Sequence, residues 1–171
     1  RDKARLLERT FLREFEPVPK MADRYAQWAR AGASFHYLSA SPWQLYDPIV
    51  EFFRAAGFPA GSAHLKLFRA KDATFFSLFQ DPHAYKTPLL DLLIAGSPGR
   101  RFVLVGDSGE KDPEAYTDAF RRYPAQVAAI YIRDVTGEGR DAPRYQTAFA
   151  GIPAERWQIF TDPTSLPENL P

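Results

Sequence analysis

Residues 101–116 read RFVLVGDSGEKDPEAY. Four apolar residues, Phe102 to Val105, run consecutively, which suits a strand covered on both faces. The run ends in Gly106-Asp107-Ser108-Gly109, and Asp112-Pro113 reads as a helix start with Pro just inside it. A buried strand, a tight turn and a helix therefore follow one another directly. The turn holds Asp107, Glu110 and Asp112, three carboxylates within six positions. Like charges so close repel, and a positive partner, most simply a metal ion, would justify keeping them together.

The same alternation extends in both directions. Upstream, KARLLERTFLREF (3–15) has helical spacing of Ala4, Leu7, Phe11 and Phe15. MADRYAQWARAG (21–32) reads as a second helix with Gly32 as its stop. SFHYLSA (34–40) is a short strand, WQLYDPIVEFFRAAG (43–57) a helix with an interruption at Pro48, AHLKLFR (63–69) a strand, and HAYKTPLLDLLIAG (83–96) a helix. Downstream come the helix DPEAYTDAFRRYP (112–124), the strand VAAIYIRDV (127–135), the helix APRYQTAFAG (142–151) and the strand RWQIFTD (156–162). Helices alternating with continuous apolar strands predict an α/β fold with a doubly wound, mainly parallel sheet. The expected organisation is one domain over residues 1–162 and a loose, proline-rich tail over residues 163–171.

The totals bound the function. The 171 residues suffice for a single sizeable core. A net charge of +1 argues against a broad nucleic-acid footprint. The sequence has no cysteine, so disulfides and thiolate metal sites are excluded. It holds no run of about eighteen apolar residues, and its first residues lack a signal-peptide pattern. The expected location is the cytoplasm, with any membrane contact peripheral.

In doubly wound sheets, ligands sit at the carboxyl ends of the strands, so those ends are worth comparing. Ser39 closes the first strand and is followed by Ser41. These hydroxyls either bond a phosphate oxygen alongside backbone N–H groups or cap the next helix. Asp107 closes the central strand, at the mouth of the sheet, where a hard cation would accept its oxygen. Asp112 either caps the helix or joins that site. Glu110 and Lys111 read as solvated turn residues. Lys86, early in its helix, either reaches the same mouth to neutralise an anion or lies exposed. His36 reads as a core residue, His83 as a capping or surface residue, and His64 has no evident partner. Trp43, Tyr46, Phe52 and Phe53 read as core, with an acyl-chain contact as the alternative. No serine-hydrolase order and no phosphate loop of the G-x-x-x-x-G-K-[ST] form is present.

Ser39, Lys86, Gly106-Asp107 and Asp112, in this order, resemble the second, third and fourth motifs of the haloacid dehalogenase superfamily of phosphohydrolases. The phrases FLREFEPVPKMADRYAQWA, FHYLSASPWQLYDPIVEFF and RRFVLVGDSGEKDPEAY, with AIYIRDV, narrow the resemblance. They are similar to the catalytic domain of the actin-patch-associated phosphatidate phosphatases and their bacterial relatives, from about Leu6 to Val135. The resemblance implies a magnesium-dependent phosphatase acting on a phospholipid or other small phosphomonoester, with phosphatidate giving diacylglycerol. It implies an attacking aspartate that becomes a phosphoaspartate, with Ser39 holding a phosphoryl oxygen and Lys86 steadying nucleophile and phosphate. Asp107 would bind magnesium, and Asp112 would bind it or orient its shell. The family's first motif, D-x-D-x-T on a central strand, does not occur in the 171 residues. The nucleophile is therefore expected upstream of Arg1. The other expectation is a catalytically inactive phosphate- or partner-binding domain.

Overall fold

The computed structural model describes residues 16–66 and 82–171. The helix expected over residues 3–15 and the end of the strand expected over residues 63–69 lie outside them. The chain divides into two compact units, Arg1–Phe79 with Pro167–Asn169, and Gln80–Leu166 with Leu170–Pro171. Among the described residues every strand pair is parallel and helices flank the sheets, so the fold is α/β of the doubly wound class.

In the first unit, helix α1 (Met21–Arg30) leads to strand β1 (Phe35–Pro42), helix α2 (Tyr46–Ala55) and strand β2 (Gly61–Lys66). β1 pairs with β2 from Phe35 opposite Gly61 to Ser39 opposite Leu65. A Cβ on Gly61 would come within 2.5 Å of the Phe35 carbonyl oxygen, so the close approach of the strands requires glycine there. Leu45, Ile49 and Leu65 form a buried cluster with Tyr46 and Phe53 against it. Tyr37 meets Phe53 at 4.4 Å between ring centroids, and Phe53 meets Phe58 at 5.6 Å. Of the aromatics expected in the core, Tyr46, Phe52 and Phe53 are half-buried, and Trp43 is 48% exposed and stacks on Tyr46. Pro48 does not interrupt its helix. α2 begins at Tyr46 after a 3-10 turn, which puts the proline in the first helical turn, where no N–H is needed.

In the second unit, helix α3 (Pro82–Ala95) precedes strand β3 (Phe102–Asp107), helix α4 (Asp112–Arg122), strand β4 (Val127–Arg133), helix α5 (Pro143–Ala148) and strand β5 (Trp157–Phe160). The strand order is β3-β4-β5. β4 lies between two partners, and its first six residues are all buried, as its unbroken apolar run requires. α4 turns Ala115, Tyr116, Ala119 and Phe120 inward, the stripe of a helix lying on a sheet. Tyr116 fixes it there by donating its hydroxyl to the Val105 carbonyl at 3.1 Å. The C-terminal residues are tied rather than loose. Asp162 caps the 3-10 turn Pro163–Ser165, Leu166 is buried, and Trp28 Nε1 donates to the Pro167 carbonyl at 2.9 Å.

Candidate active site

The parallel strand β3 delivers Asp107 to its carboxyl end, and the chain must then reverse into α4 within five residues. Gly106 makes this possible. A Cβ there would lie 2.3 Å from Asp112 Oδ2 and 2.8 Å from Asp112 Cβ, so the missing side chain is the space that Asp112 fills. Asp112 is the first residue of α4 and 4% exposed. Its carboxylate does not cap its own helix. Oδ2 accepts the Asp107 amide at 3.1 Å, and Oδ1 accepts the Lys86 ammonium.

Lys86 comes from α3 and is 6% exposed, so it reaches inward. It also donates to Glu110 Oε2 at 2.8 Å. Burial disfavours charge at both ends of this cluster. At Lys86 the Asp112 and Glu110 carboxylates outweigh burial and hold the amine above its ordinary pKa. At Asp112 burial pushes the carboxyl up, the Asp107 charge adds to it, and Lys86 offsets part. At neutral pH Lys86 and Asp112 form an ionised pair, each charge hydrogen-bonded by the other.

Asp107 is half-buried, and its Oδ1 accepts the Gly109 amide at 2.8 Å. Among the described residues no hydrogen bond engages its Oδ2, and no group of three His, Asp or Glu side chains converges as a metal cage. The donor set is therefore one available carboxylate oxygen beside a second, internally satisfied carboxylate. Lys86 has three N–H donors, two of them engaged, which leaves one for an anion.

The turn is also held from below and from outside. Ser108, 1% exposed, accepts the Val135 amide at 2.9 Å and the Thr136 amide at 3.2 Å on its Oγ. Asp134, at the end of β4, accepts the amides of Gly137 at 2.9 Å and Gly139 at 2.8 Å. Burial opposes the Asp134 charge, but these donors outweigh it and hold the carboxyl below its usual range. Arg144 of α5 donates to the Ser108 carbonyl at 2.6 Å and to the Glu110 carbonyl, and it forks onto Glu114 at 2.9 and 3.0 Å.

The structure thus brings Lys86, Asp107 and Asp112 together in the second unit. Ser39 and Ser41 lie in the first unit. Their hydroxyls bond each other at 2.9 Å, and the Ser41 amide donates to Ser39 Oγ at 3.1 Å. Neither caps the following turn. β1 runs on past Ser39 to Pro42 with a register shift, which carries both serines within the strand. Glu110, read from the sequence as solvated, is an ion-pair partner of Lys86. Arg144 was not marked by any sequence pattern, since an arginine after a helix-starting proline is ordinary. His36 is exposed rather than core, and it shares Ser62 Oγ with His64, at 2.6 and 2.8 Å. The side chain of His83 lies outside the described residues.

Residues 1–134 match the family of the phosphatidate phosphatase APP1 catalytic domain. Phosphatidate phosphatase APP1 of Saccharomyces cerevisiae is 36% identical over 117 residues, 67% of this chain and 19% of that protein. An uncharacterized protein of Schizosaccharomyces pombe is 27% identical over 155 residues, 90% of this chain and 25% of its own length. The chain therefore spans a quarter or less of these curated relatives. No solved structure matches it.

Proposed function

Because the chain belongs to the phosphatidate phosphatase APP1 catalytic-domain family, we propose that it carries the phosphate and magnesium half of a phosphatase site. The reaction is hydrolysis of a phosphomonoester, with phosphatidate as substrate and diacylglycerol as product, and the site is of the haloacid dehalogenase type. The observation that carries this reading is the buried Lys86, clamped between Asp112 and Glu110 at the carboxyl end of β3 beside Asp107. A buried ammonium with a donor to spare can take a phosphate oxygen. Asp107 would hold magnesium through Oδ2, and Asp112 would orient Lys86 and the Asp107 backbone. Bound magnesium would supply charge neutralisation at the transferring phosphoryl group.

In the phosphoaspartate mechanism of this reading, an aspartate attacks phosphorus. The bond from phosphorus to the lipid oxygen breaks as a second aspartate, two residues after the nucleophile, protonates the leaving diacylglycerol. The same carboxylate then takes a proton from water, which cleaves the phosphoaspartate to inorganic phosphate and free aspartate. Lys86 offsets the negative charge as the attacking carboxylate meets the phosphoryl oxygens. Ser39 and Ser41 keep a phosphate-binding role only by their sequence order in the resembling family; the proposed site is the Lys86, Asp107 and Asp112 cluster of the second unit. Contact with the substrate membrane is peripheral. No helix among the described residues is long and apolar enough to cross a bilayer.

The test is phosphate release from phosphatidate vesicles by the full-length protein, with magnesium and with chelator, in wild type and Asp107→Asn. The expected result is turnover that needs magnesium and falls by at least about a hundredfold in the variant, on the order seen when an electrostatic catalytic group is removed. Equal turnover in both proteins would remove Asp107 from the site. Absence of turnover in wild type, with phosphate still bound, would favour a catalytically inactive phosphate-binding domain.

A further inference from the structure

We propose that Arg144 is a positioning residue for the acidic turn, its guanidinium fastening the Ser108 and Glu110 carbonyls to Glu114 and so setting where Asp107 and Lys86 present themselves; this rests on the reading of that turn as the magnesium and phosphate site. Arg144 lies beyond residue 134, where the family match ends. Asp107, Glu110, Asp112 and Glu114 place four carboxylates within eight positions. Left to themselves these charges push the turn open. Lys86 gathers two of them from the α3 side. Arg144 gathers the backbone and the fourth carboxylate from the α5 side.

Glu110 joins the two cations. Its carboxylate goes to Lys86, and its carbonyl goes to Arg144. A shift of Arg144 is therefore felt at Lys86 through one residue. The work needs an arginine: one planar fork reaches two carbonyls and both oxygens of a carboxylate, which a lysine ammonium cannot do. The Ser108 side chain anchors the turn to the loop after β4 on one side, and the guanidinium adds a constraint on its outer backbone. Glu114 gains correspondingly. Although burial opposes its charge, the Arg144 contacts hold its carboxyl below the usual range.

The experiment is amide hydrogen exchange by NMR on the full chain, in wild type, Arg144→Gln and Arg144→Lys, followed by titration with magnesium and inorganic phosphate. Two amides report on the turn, Asp107 bonded to Asp112 and Gly109 bonded to Asp107. In Arg144→Gln, protection at both should fall about tenfold, the scale of a charge-assisted hydrogen bond. The buried β4 amides of Ile130 and Ile132 should keep theirs. Arg144→Lys should restore little, and both variants should bind the two ions more weakly than wild type. Unchanged protection at Asp107 and Gly109 would overturn the proposal. So would a uniform loss that includes β4, which is a merely structural role, or full restoration by lysine, which is a role for charge alone. A wild-type chain indifferent to both ions would overturn the site reading and the proposal with it; exchange at Asp107, which needs no ligand, tells that failure apart. Should Arg144→Gln not fold, Glu114→Gln keeps both carbonyl bonds and should loosen the same two amides to a smaller degree.

Discussion

The Lys86 ammonium and the Asp112 carboxylate are both enclosed, so removing either end leaves an isolated charge. Lys86→Ala should cost about 3–5 kcal/mol in denaturant unfolding, the range for breaking a buried pair. Arg122 and Asp91 form a pair of ordinary length at 2.9 Å, but their side chains are 37% and 36% exposed. Arg122→Ala should cost no more than about 1 kcal/mol. In Lys86→Ala the deficit relative to wild type should shrink at acid pH. Burial already raises the folded pKa of Asp112, and losing Lys86 raises it further, so the deficit is full above the variant's higher pKa and fades as pH falls through it toward the wild-type folded value. Gly106→Ala tests the same site from the backbone. Its Cβ would overlap Asp112, and a cost of about 1–3 kcal/mol is expected, read from the urea midpoint. Asp107, Asp112 and Lys86 were legible in the sequence because a strand end and a helix start fix where such residues lie. Glu110 and Arg144 were not legible, because their partners are 24 residues or more away and only the folded chain brings them together.

At the scale of elements, β3 and β4 were the most readable parts. Phe102–Val105 and Val127–Ile132 are apolar runs that only a covered parallel sheet accommodates. β1 was less readable, since its course beyond Ser39 depends on a bulge and on two serines bonding each other. α5 was expected over residues 142–151 and forms over Pro143–Ala148. Gly151, at φ +80°, adopts a left-handed conformation beyond its end. The loop after β4 is held by Asp134 and carries the pH prediction. Its donors depress the folded pKa, so the stabilisation is fully present above the unfolded carboxylate value of about 4. It is lost as pH falls through the lower folded value. Wild type should therefore lose stability on acidification more steeply than Asp134→Asn over that window, measured by thermal unfolding at stepped pH. Parallel slopes would show that the loop contributes nothing to the acid response.

For the whole molecule, the central claim is that the turn closing β3 is a site for phosphate and magnesium, built within the second unit from α3, β3 and α4. The family match motivates the class of chemistry proposed, and the local geometry supplies the groups for it. Fold alone would not do this, since doubly wound sheets serve many reactions. The charges explain themselves in part without a metal, because Lys86 and Arg144 balance two of the four carboxylates between Asp107 and Glu114. The remaining negative charge is what a divalent cation would meet. The most direct measurement is calorimetric titration of the full chain with magnesium in the presence of inorganic phosphate, repeated on Asp107→Asn and Lys86→Met. The account predicts binding in wild type, loss of the magnesium response in Asp107→Asn, and, in Lys86→Met, magnesium binding that inorganic phosphate no longer strengthens. Magnesium binding of equal strength in wild type and Asp107→Asn would contradict it.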